Sequence, residues 1–188
     1  NFPIMADATY LDIAAAAARS AGAYQREQFG TIDDHEYKSP GDPISDVDYE
    51  SEKRILNRLT TAFPDHAVLS EESGLVNTDD GNPTHCWIVD PLDGTSNFLR
   101  ESPKFAVSIA LEIEDNLEVG VVYQPMVDTL FATSLNDTTA ADVGGVPLGI
   151  ASTERLASAL VAIPYSSSRL QRDAVWTAHR ELGSRVEG

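Results

Sequence analysis

The sequence predicts a layered α+β or α/β sandwich: an N-terminal helix pair, an antiparallel sheet, and the opening of a further α/β part. Three observations predict it. Before residue 64 the apolar residues recur with helical period in two proline-free stretches. From residue 67 to 133 they gather into short runs of strand length, separated by turn residues. After residue 150 helix-like and strand-like stretches alternate again. The organisation expected is an α+β domain over residues 5–149, then the start of a second, α/β domain over 150–188. One strand and one helix in that last part are too few to close a second sheet.

Each element has its own warrant. Between Asp7 and Phe29 there is no Pro and one Gly, and Leu11, Ala14, Ala15, Ala18, Ala21 and Ala23 supply a narrow apolar stripe. Gly30 is a natural stop. Residues 31–43 read as loop. A second helix begins at Ser45 or Asp46 and runs to about Ala62, with Ile55, Leu56, Leu59 and Phe63 on one side; Pro64-Asp65 ends it. Ala67-Val68-Leu69 is a short strand, and residues 74–84 are loop. Cys86-Trp87-Ile88-Val89-Asp90 is a buried strand ending on a carboxylate. Phe105 to Ile113, Val119 to Tyr123 and Thr129 to Thr133 are strands. Asp115-Asn116 turns between the first two, and Gln124-Pro125-Met126 leads to the third. Residues 134–149 are polar and Gly-rich. A short helix near Thr153 to Ser158, a strand Leu160 to Ile163 and a helix from about Ser168 to Leu182 complete the chain.

The 188 residues carry 30 Asp and Glu against 13 Lys and Arg, a formal charge of −17. Such a surface repels phosphate backbones and anionic lipid, which excludes nucleic acid and membrane surfaces as partners. With 42% apolar residues, the chain is not a disordered acidic tail. Seventeen of the acids are Asp, and only Lys38, Lys53 and Lys104 are lysines. That is the pattern of a protein working in high salt, and it predicts an unfolding midpoint that rises with molar KCl. Equal stability in dilute buffer would refute it. Cys86 is the single cysteine, so no internal disulfide can form, which leans to a reducing, cytoplasmic location. No signal peptide or membrane-length apolar run is visible. Met5 is the expected natural start, preceded by four extra residues.

Three acidic segments carry the chemistry. In Asp90-Pro91-Leu92-Asp93-Gly94-Thr95-Ser96-Asn97-Phe98, a strand delivers Asp90 at its end and Pro91 fixes the chain. Asp93 can then converge with Asp90 on one point, with the Leu92 carbonyl between them. Oxygen-only ligands suit a hard cation such as Mg²⁺, and the N–H groups of Gly94, Thr95 and Ser96 can cradle a phosphate beside it. Read alone, the segment fits either this site or a plain turn with an Asx cap. Ser70-Glu71-Glu72-Ser73-Gly74 follows a strand. Its adjacent carboxylates form either a solvated turn or a pair in which one binds metal and the other holds water. In Asp42-Pro43-Ile44-Ser45-Asp46-Val47-Asp48, Ser45 and Asp48 fit a capping box. Asp46, Glu50 and Glu52 read as helix-start or solvated acids.

Taken together, these segments resemble the inositol monophosphatase family of metal-dependent sugar phosphatases, in order and in spacing. Lys38-Ser39-Pro40-Gly41-Asp42-Pro43-Ile44-Ser45 is similar to its first loop, Asp48 to its helix-start aspartate, and Glu71-Glu72-Ser73 to its Glu-Glu motif. Trp87-Ile88-Val89-Asp90-Pro91-Leu92-Asp93-Gly94-Thr95-Ser96-Asn97-Phe98 is similar to its principal signature almost residue for residue. Val107-Ser108-Ile109-Ala110 and Gly120-Val121-Val122-Tyr123 are similar to the strands that follow. The likeness runs from about residue 8 to residue 183.

The resemblance implies a sandwich of the sugar phosphatase type and a phosphomonoesterase acting on inositol or sugar phosphates. It implies two Mg²⁺ ions held by Glu71, Asp90, Asp93 and the Leu92 carbonyl, with a third associating through Glu71. A metal-activated water would be the nucleophile. Thr95, hydrogen-bonded to Asp48, would orient it and help deprotonate it. Asp93 and the amides of Gly94, Thr95 and Ser96 would hold the phosphate. Glu72 and Lys38 are accessory positions, and a homodimer is carried over. The family's later Trp-Asp motif, which completes the second metal site, has no counterpart before Gly188. Trp176-Thr177 does not replace it, and Arg180-Glu181-Leu182-Gly183-Ser184 is similar to the segment just before it. Fructose-1,6-bisphosphatase activity, as in archaeal-type members of the superfamily, is the alternative enzyme, ahead of a 3′-phosphonucleotide phosphatase. A truncated, non-catalytic chain that binds metal or a partner is the alternative of another class. His35, His66, His85 and His179 lack metal-ligand spacing, Cys86 reads as a core thiol, Ser166-Ser167-Ser168 as a helix cap, and Gly144-Gly145 lacks the strand–helix frame of a nucleotide loop.

Overall fold

The computed structural model describes residues 9–32, 36–39, 42–77, 83–135, 137–141, 146, 149, 152–162 and 169–183. Met5, Asp7, His35, Pro40-Gly41, Gly144-Gly145, Ile163 and Ser166-Ser167-Ser168 lie outside them. The chain divides into two compact units, one of residues 1–36 and 43–148, the other of residues 37–42 and 149–188.

In the first unit, α1 (Tyr10–Gln28) is capped by Thr9, whose hydroxyl accepts from the Asp12 N–H while the Asp12 carboxylate accepts from Thr9. α2 (Asp46–Ala62) opens with the expected capping box of Ser45 and Asp48. Ala14, Ala17, Ala18 and Ala21 of α1 are buried, as are Val47, Ile55 and Leu59 of α2. The small residues let α1 lie close against α2 and against the sheet. At Gly22 a Cβ would fall 2.5 Å from the Tyr123 ring and 2.8 Å from Pro125, so only glycine fits there.

The seven strands run in the spatial order β4-β3-β5-β6-β7-β8-β9. They are β3 (Ala67–Ser70), β4 (Gly74–Val76), β5 (His85–Asp93), β6 (Ala106–Ile113), β7 (Asn116–Gln124), β8 (Thr129–Ser134) and β9 (Asp137–Ala141). From β5 to β9 the pairing is the expected antiparallel meander. β3 instead runs parallel to β5, with Leu69 opposite Ile88, so the sheet is mixed. Trp87, Val89, Val107, Ile109, Leu111, Val119, Val121 and Tyr123 form the core with the two helices. Each large side chain so buried contributes about 1.5–3 kcal/mol. At one edge of this core Tyr10, Phe63, His66, His85 and Trp87 stack, and the Trp87 indole N–H donates to His66 Nδ1 at 3.1 Å.

Several expectations are corrected. The stretch read as loop over 31–43 contains β1 (Glu36–Ser39) and β2 (Asp42–Ile44), a two-stranded sheet. β4 likewise falls in a stretch read as loop, and β9 in the stretch read as polar and Gly-rich. All four are short, at three to five residues, and form because a partner supplies the ladder. The turn between β6 and β7 is Glu114-Asp115, both with positive φ, one residue earlier than expected.

In the second unit, a 3-10 turn (Leu156–Ser158) replaces the short helix expected near Thr153. Residues 159–162 adopt no strand. α4 (Arg169–Leu182) matches the last predicted helix. Among the described residues no helix is long and apolar enough to cross a membrane.

Candidate functional site

The site is assembled within the first unit, where β3 and β5 end side by side. The Glu71 N–H donates to Val89 O at 3.1 Å, which brings the Glu71-Glu72-Ser73 turn alongside the end of β5. On β5 the register against β6 breaks. Asp90 faces Ser108 and Asp93 faces Ala106, so Pro91 and Leu92 bulge between them. Asp90 is half-buried and Asp93 exposed, while Leu92 is buried against Val47, Phe98 and Phe105. A bulge beside a polar centre re-aims side chains that a regular strand would alternate across the sheet.

Chain reversal follows at Gly94, with φ +93°. A Cβ there would lie 3.0 Å from the Lys104 carbonyl oxygen, so the turn demands glycine twice over. Asn97 closes it by donating to that same carbonyl at 2.7 Å. The one-turn helix α3 (Thr95–Phe98) begins immediately, and its first internal bond is Asn97 N–H to Gly94 O at 2.8 Å. The amides of Gly94, Thr95 and Ser96 precede that bond.

Two carboxylates of α2 reach into this region. Asp48 is 1% exposed. Its Oδ2 accepts from the Ser45 N–H at 2.9 Å and the Ser45 hydroxyl at 2.7 Å. Its Oδ1 accepts from the Thr95 hydroxyl at 2.7 Å, and Leu92 O lies 3.0 Å from the same hydroxyl. Glu52, also buried, accepts from the Ser73 N–H at 3.0 Å and the Ser73 hydroxyl at 2.6 Å, and so ties down the Glu71 turn.

Around Asp90 the situation is different. Its Oδ1 accepts from the Leu92 N–H at 3.2 Å. Burial, then the charges of Glu71 and Asp93 and a hydrogen bond with Glu71, push its carboxyl up to about 7. Among the described residues no group of three or more His, Cys, Asp or Glu side chains forms a ready-made metal cage. Yet crowded carboxylates of this kind are relieved by a cation. The donors are all oxygen, so the set fits a hard ion such as Mg²⁺.

Of the residues singled out in the sequence, Glu71, Asp90, Leu92, Asp93, Gly94, Thr95, Ser96 and Asp48 therefore belong to one region of the first unit. Glu72 is half-buried in the adjoining turn, whereas Lys38 is exposed on β1 in the second unit. The sequence reading missed Glu52, taken there for a solvated helix acid, and Gln25. Gln25 is wholly buried and its Nε2 donates to Pro91 O at 2.6 Å. The signal for both was a polar residue on a buried helical stripe: Gln25 four after Ala21, Glu52 three before Ile55.

Comparisons with known proteins agree with this fold. The profile of the "Inositol monophosphatase family" matches residues 7–187. An inositol-1-monophosphatase of Mesorhizobium japonicum is 42% identical over 131 residues, covering 69% of this chain and 48% of that protein. A Nus factor SuhB of Pasteurella multocida is 34% identical over 164 residues, covering 85% of this chain and 60% of its own length. The structure of an inositol monophosphatase from Anabaena (Nostoc) superposes with a TM-score of 0.80 at 30% identity, covering 95% of this chain and 64% of that one. The chain thus spans about half to three-fifths of the length of these two curated relatives. Its folded core, its signature turn and these relatives together show that the chain belongs to the inositol monophosphatase family.

Proposed function

We propose that this chain carries the catalytic region of a Mg²⁺-dependent phosphomonoesterase for inositol or sugar phosphates. The observation that carries the reading is the part-buried Asp48–Thr95 hydrogen bond at 2.7 Å, in the same turn region as the crowded carboxyl of Asp90. A phosphate dianion cannot approach Glu71, Asp90 and Asp93 unless cations accompany it. Bound by those carboxylates and the Leu92 carbonyl, Mg²⁺ would supply Lewis acidity, offsetting phosphate charge and acidifying a water.

The chain's own groups would then divide the remaining work. The Thr95 hydrogen is directed toward Asp48, which leaves the lone pairs of Oγ1 to accept a hydrogen bond from the attacking water and orient it. Asp48, held on its other oxygen by both donors of Ser45, stops that hydroxyl from rotating and receives its proton as Thr95 takes one from the water. The Gly94, Thr95 and Ser96 amides would donate to phosphate oxygens. Fructose 1,6-bisphosphate is the alternative substrate, and a homodimer is the assembly the family resemblance suggests.

Phosphate release from myo-inositol 1-phosphate and fructose 1,6-bisphosphate, with and without Mg²⁺, tests this in the chain and in Asp93→Asn. Turnover that requires Mg²⁺ and is lost in Asp93→Asn is expected. Turnover without Mg²⁺, or full activity in the variant, would overturn the mechanism. Asp93-dependent Mg²⁺ binding with no turnover would favour a chain that only binds metal or a partner.

A further inference from the structure

We infer that Gln25 of α1 is a positioning residue for the proposed Mg²⁺ site, an inference that rests on the functional reading above and deepens it. The need arises from the bulge. Between the pairs Asp90–Ser108 and Asp93–Ala106, Pro91 and Leu92 have left the regular ladder, and Pro91 has no N–H of its own to donate. The Pro91 carbonyl is nonetheless in a buried residue and requires a donor. Gln25 provides one from another element, 66 residues away in sequence, at 2.6 Å. Its second amide hydrogen points to Ser51 Oγ on α2 at 3.1 Å. Because the Pro91 carbonyl can only accept, the side-chain nitrogen and oxygen cannot be exchanged.

Core packing alone gives no reason for an amide here. The rest of the buried stripe of α1 is Ala14, Ala17, Ala18, Ala21 and Gly22. Gln25 Oε1 is itself buried without a hydrogen-bond partner among the described residues, a cost that an apolar residue would avoid. What the amide supplies is a fixed Pro91 peptide group. That group ends in the Leu92 N–H, which donates to Asp90 Oδ1 at 3.2 Å, and leads on to the Leu92 carbonyl, so its tilt sets how the proposed ligands converge. Hydrogen bonds that fix the orientation of metal ligands typically change metal affinity by about 10- to 100-fold when they are lost.

Mg²⁺ titration calorimetry on the intact chain tests the inference, using wild type, Gln25→Met, Ser51→Ala and Asp93→Asn. Gln25→Met keeps the length of the side chain and removes the donor. It is expected to weaken Mg²⁺ binding by about 10- to 100-fold. Ser51→Ala, which leaves the Pro91 bond in place, is expected to keep the wild-type affinity. Without Mg²⁺, amide exchange at Leu92 should also quicken in Gln25→Met. Should Gln25→Met fail to fold, Gln25→Asn, whose amide is too short to reach Pro91, serves for the same comparison. A folded Gln25 variant that binds Mg²⁺ as wild type does would overturn the positioning role, since a merely structural residue would lower the melting temperature and leave affinity untouched. Wild-type chain with no Asp93-dependent Mg²⁺ binding would overturn the metal site and this inference together.

Discussion

Asp48, at the start of α2, and Asp90, near the end of β5, are carboxylates withdrawn from water in opposite ways. Asp48 is the more deeply buried, yet three donors from Ser45 and Thr95 surround its two oxygens. Asp90 is less buried, has one backbone donor, and shares its space with Glu71 and Asp93. One charge is compensated by hydrogen bonds made within the fold, and the other is crowded by like charges that the proposed cation would compensate. Burial alone does not distinguish a structural acid from a ligand; the identity of its neighbours does.

Four substitutions or conditions test that contrast. Asp90→Asn has the largest expected effect. Losing a ligand to an ion that contributes several kcal/mol should reduce phosphate release by roughly a thousandfold or more. The same change should leave the metal-free melting temperature unchanged or higher, because it relieves the crowding with Glu71 and Asp93. A marked loss of metal-free stability would break the contrast. Next, Thr95→Val should lower kcat by about 100- to 10,000-fold. Mg²⁺ affinity should persist, and Thr95→Ser should recover most of the rate. Near-normal turnover in Thr95→Val would remove the water-orienting role.

A smaller effect, now on folding, is expected for Asp48→Asn. An amide oxygen cannot accept all three donors, so stability should fall by about 1–3 kcal/mol in urea unfolding, with or without Mg²⁺. A loss seen only when Mg²⁺ is present would move Asp48 to the cation side of the comparison. The smallest effect belongs to His66, in the aromatic cluster. Burial, then the neighbouring His85, lowers its pKa below the usual 6.5, and its Nδ1 accepts from Trp87. Above that pH both folded and unfolded chains keep it neutral. As pH falls through 6.5 the unfolded chain takes up a proton that the folded chain resists. Stability is therefore lost across that window and levels off below the lowered folded pKa. His66→Gln should flatten this part of the metal-free pH–stability curve; an unchanged slope would exclude His66 as its source.

Much of this was legible in the sequence. Helical period and a capping box marked α2 to the residue, and helical period marked α1 with its start three residues early, since both signals are local to the chain. Read alone, Asp90 to Phe98 fits either a site or a plain turn; its likeness to the family signature, in order with the other two acidic segments, is what singles it out. Other features had no local signal. β1, β2, β4 and β9 are too short to declare themselves, and each exists because a neighbouring strand completes its hydrogen bonds. Conversely, residues 160–162 have a strand's composition but adopt no strand, and Leu160 is 91% exposed.

The sequence by itself determined the long helices, the main strands of the sheet and which acids stand at their ends, because propensity, capping and turn chemistry act over a few residues. The tertiary structure decided what those acids do. Asp48 meets Thr95 across 47 residues, Glu52 meets Ser73 across 21, and Gln25 meets Pro91 across 66. Such meetings depend on how α1 and α2 pack against the sheet, and packing is a property of surfaces brought together that no single stretch of chain contains.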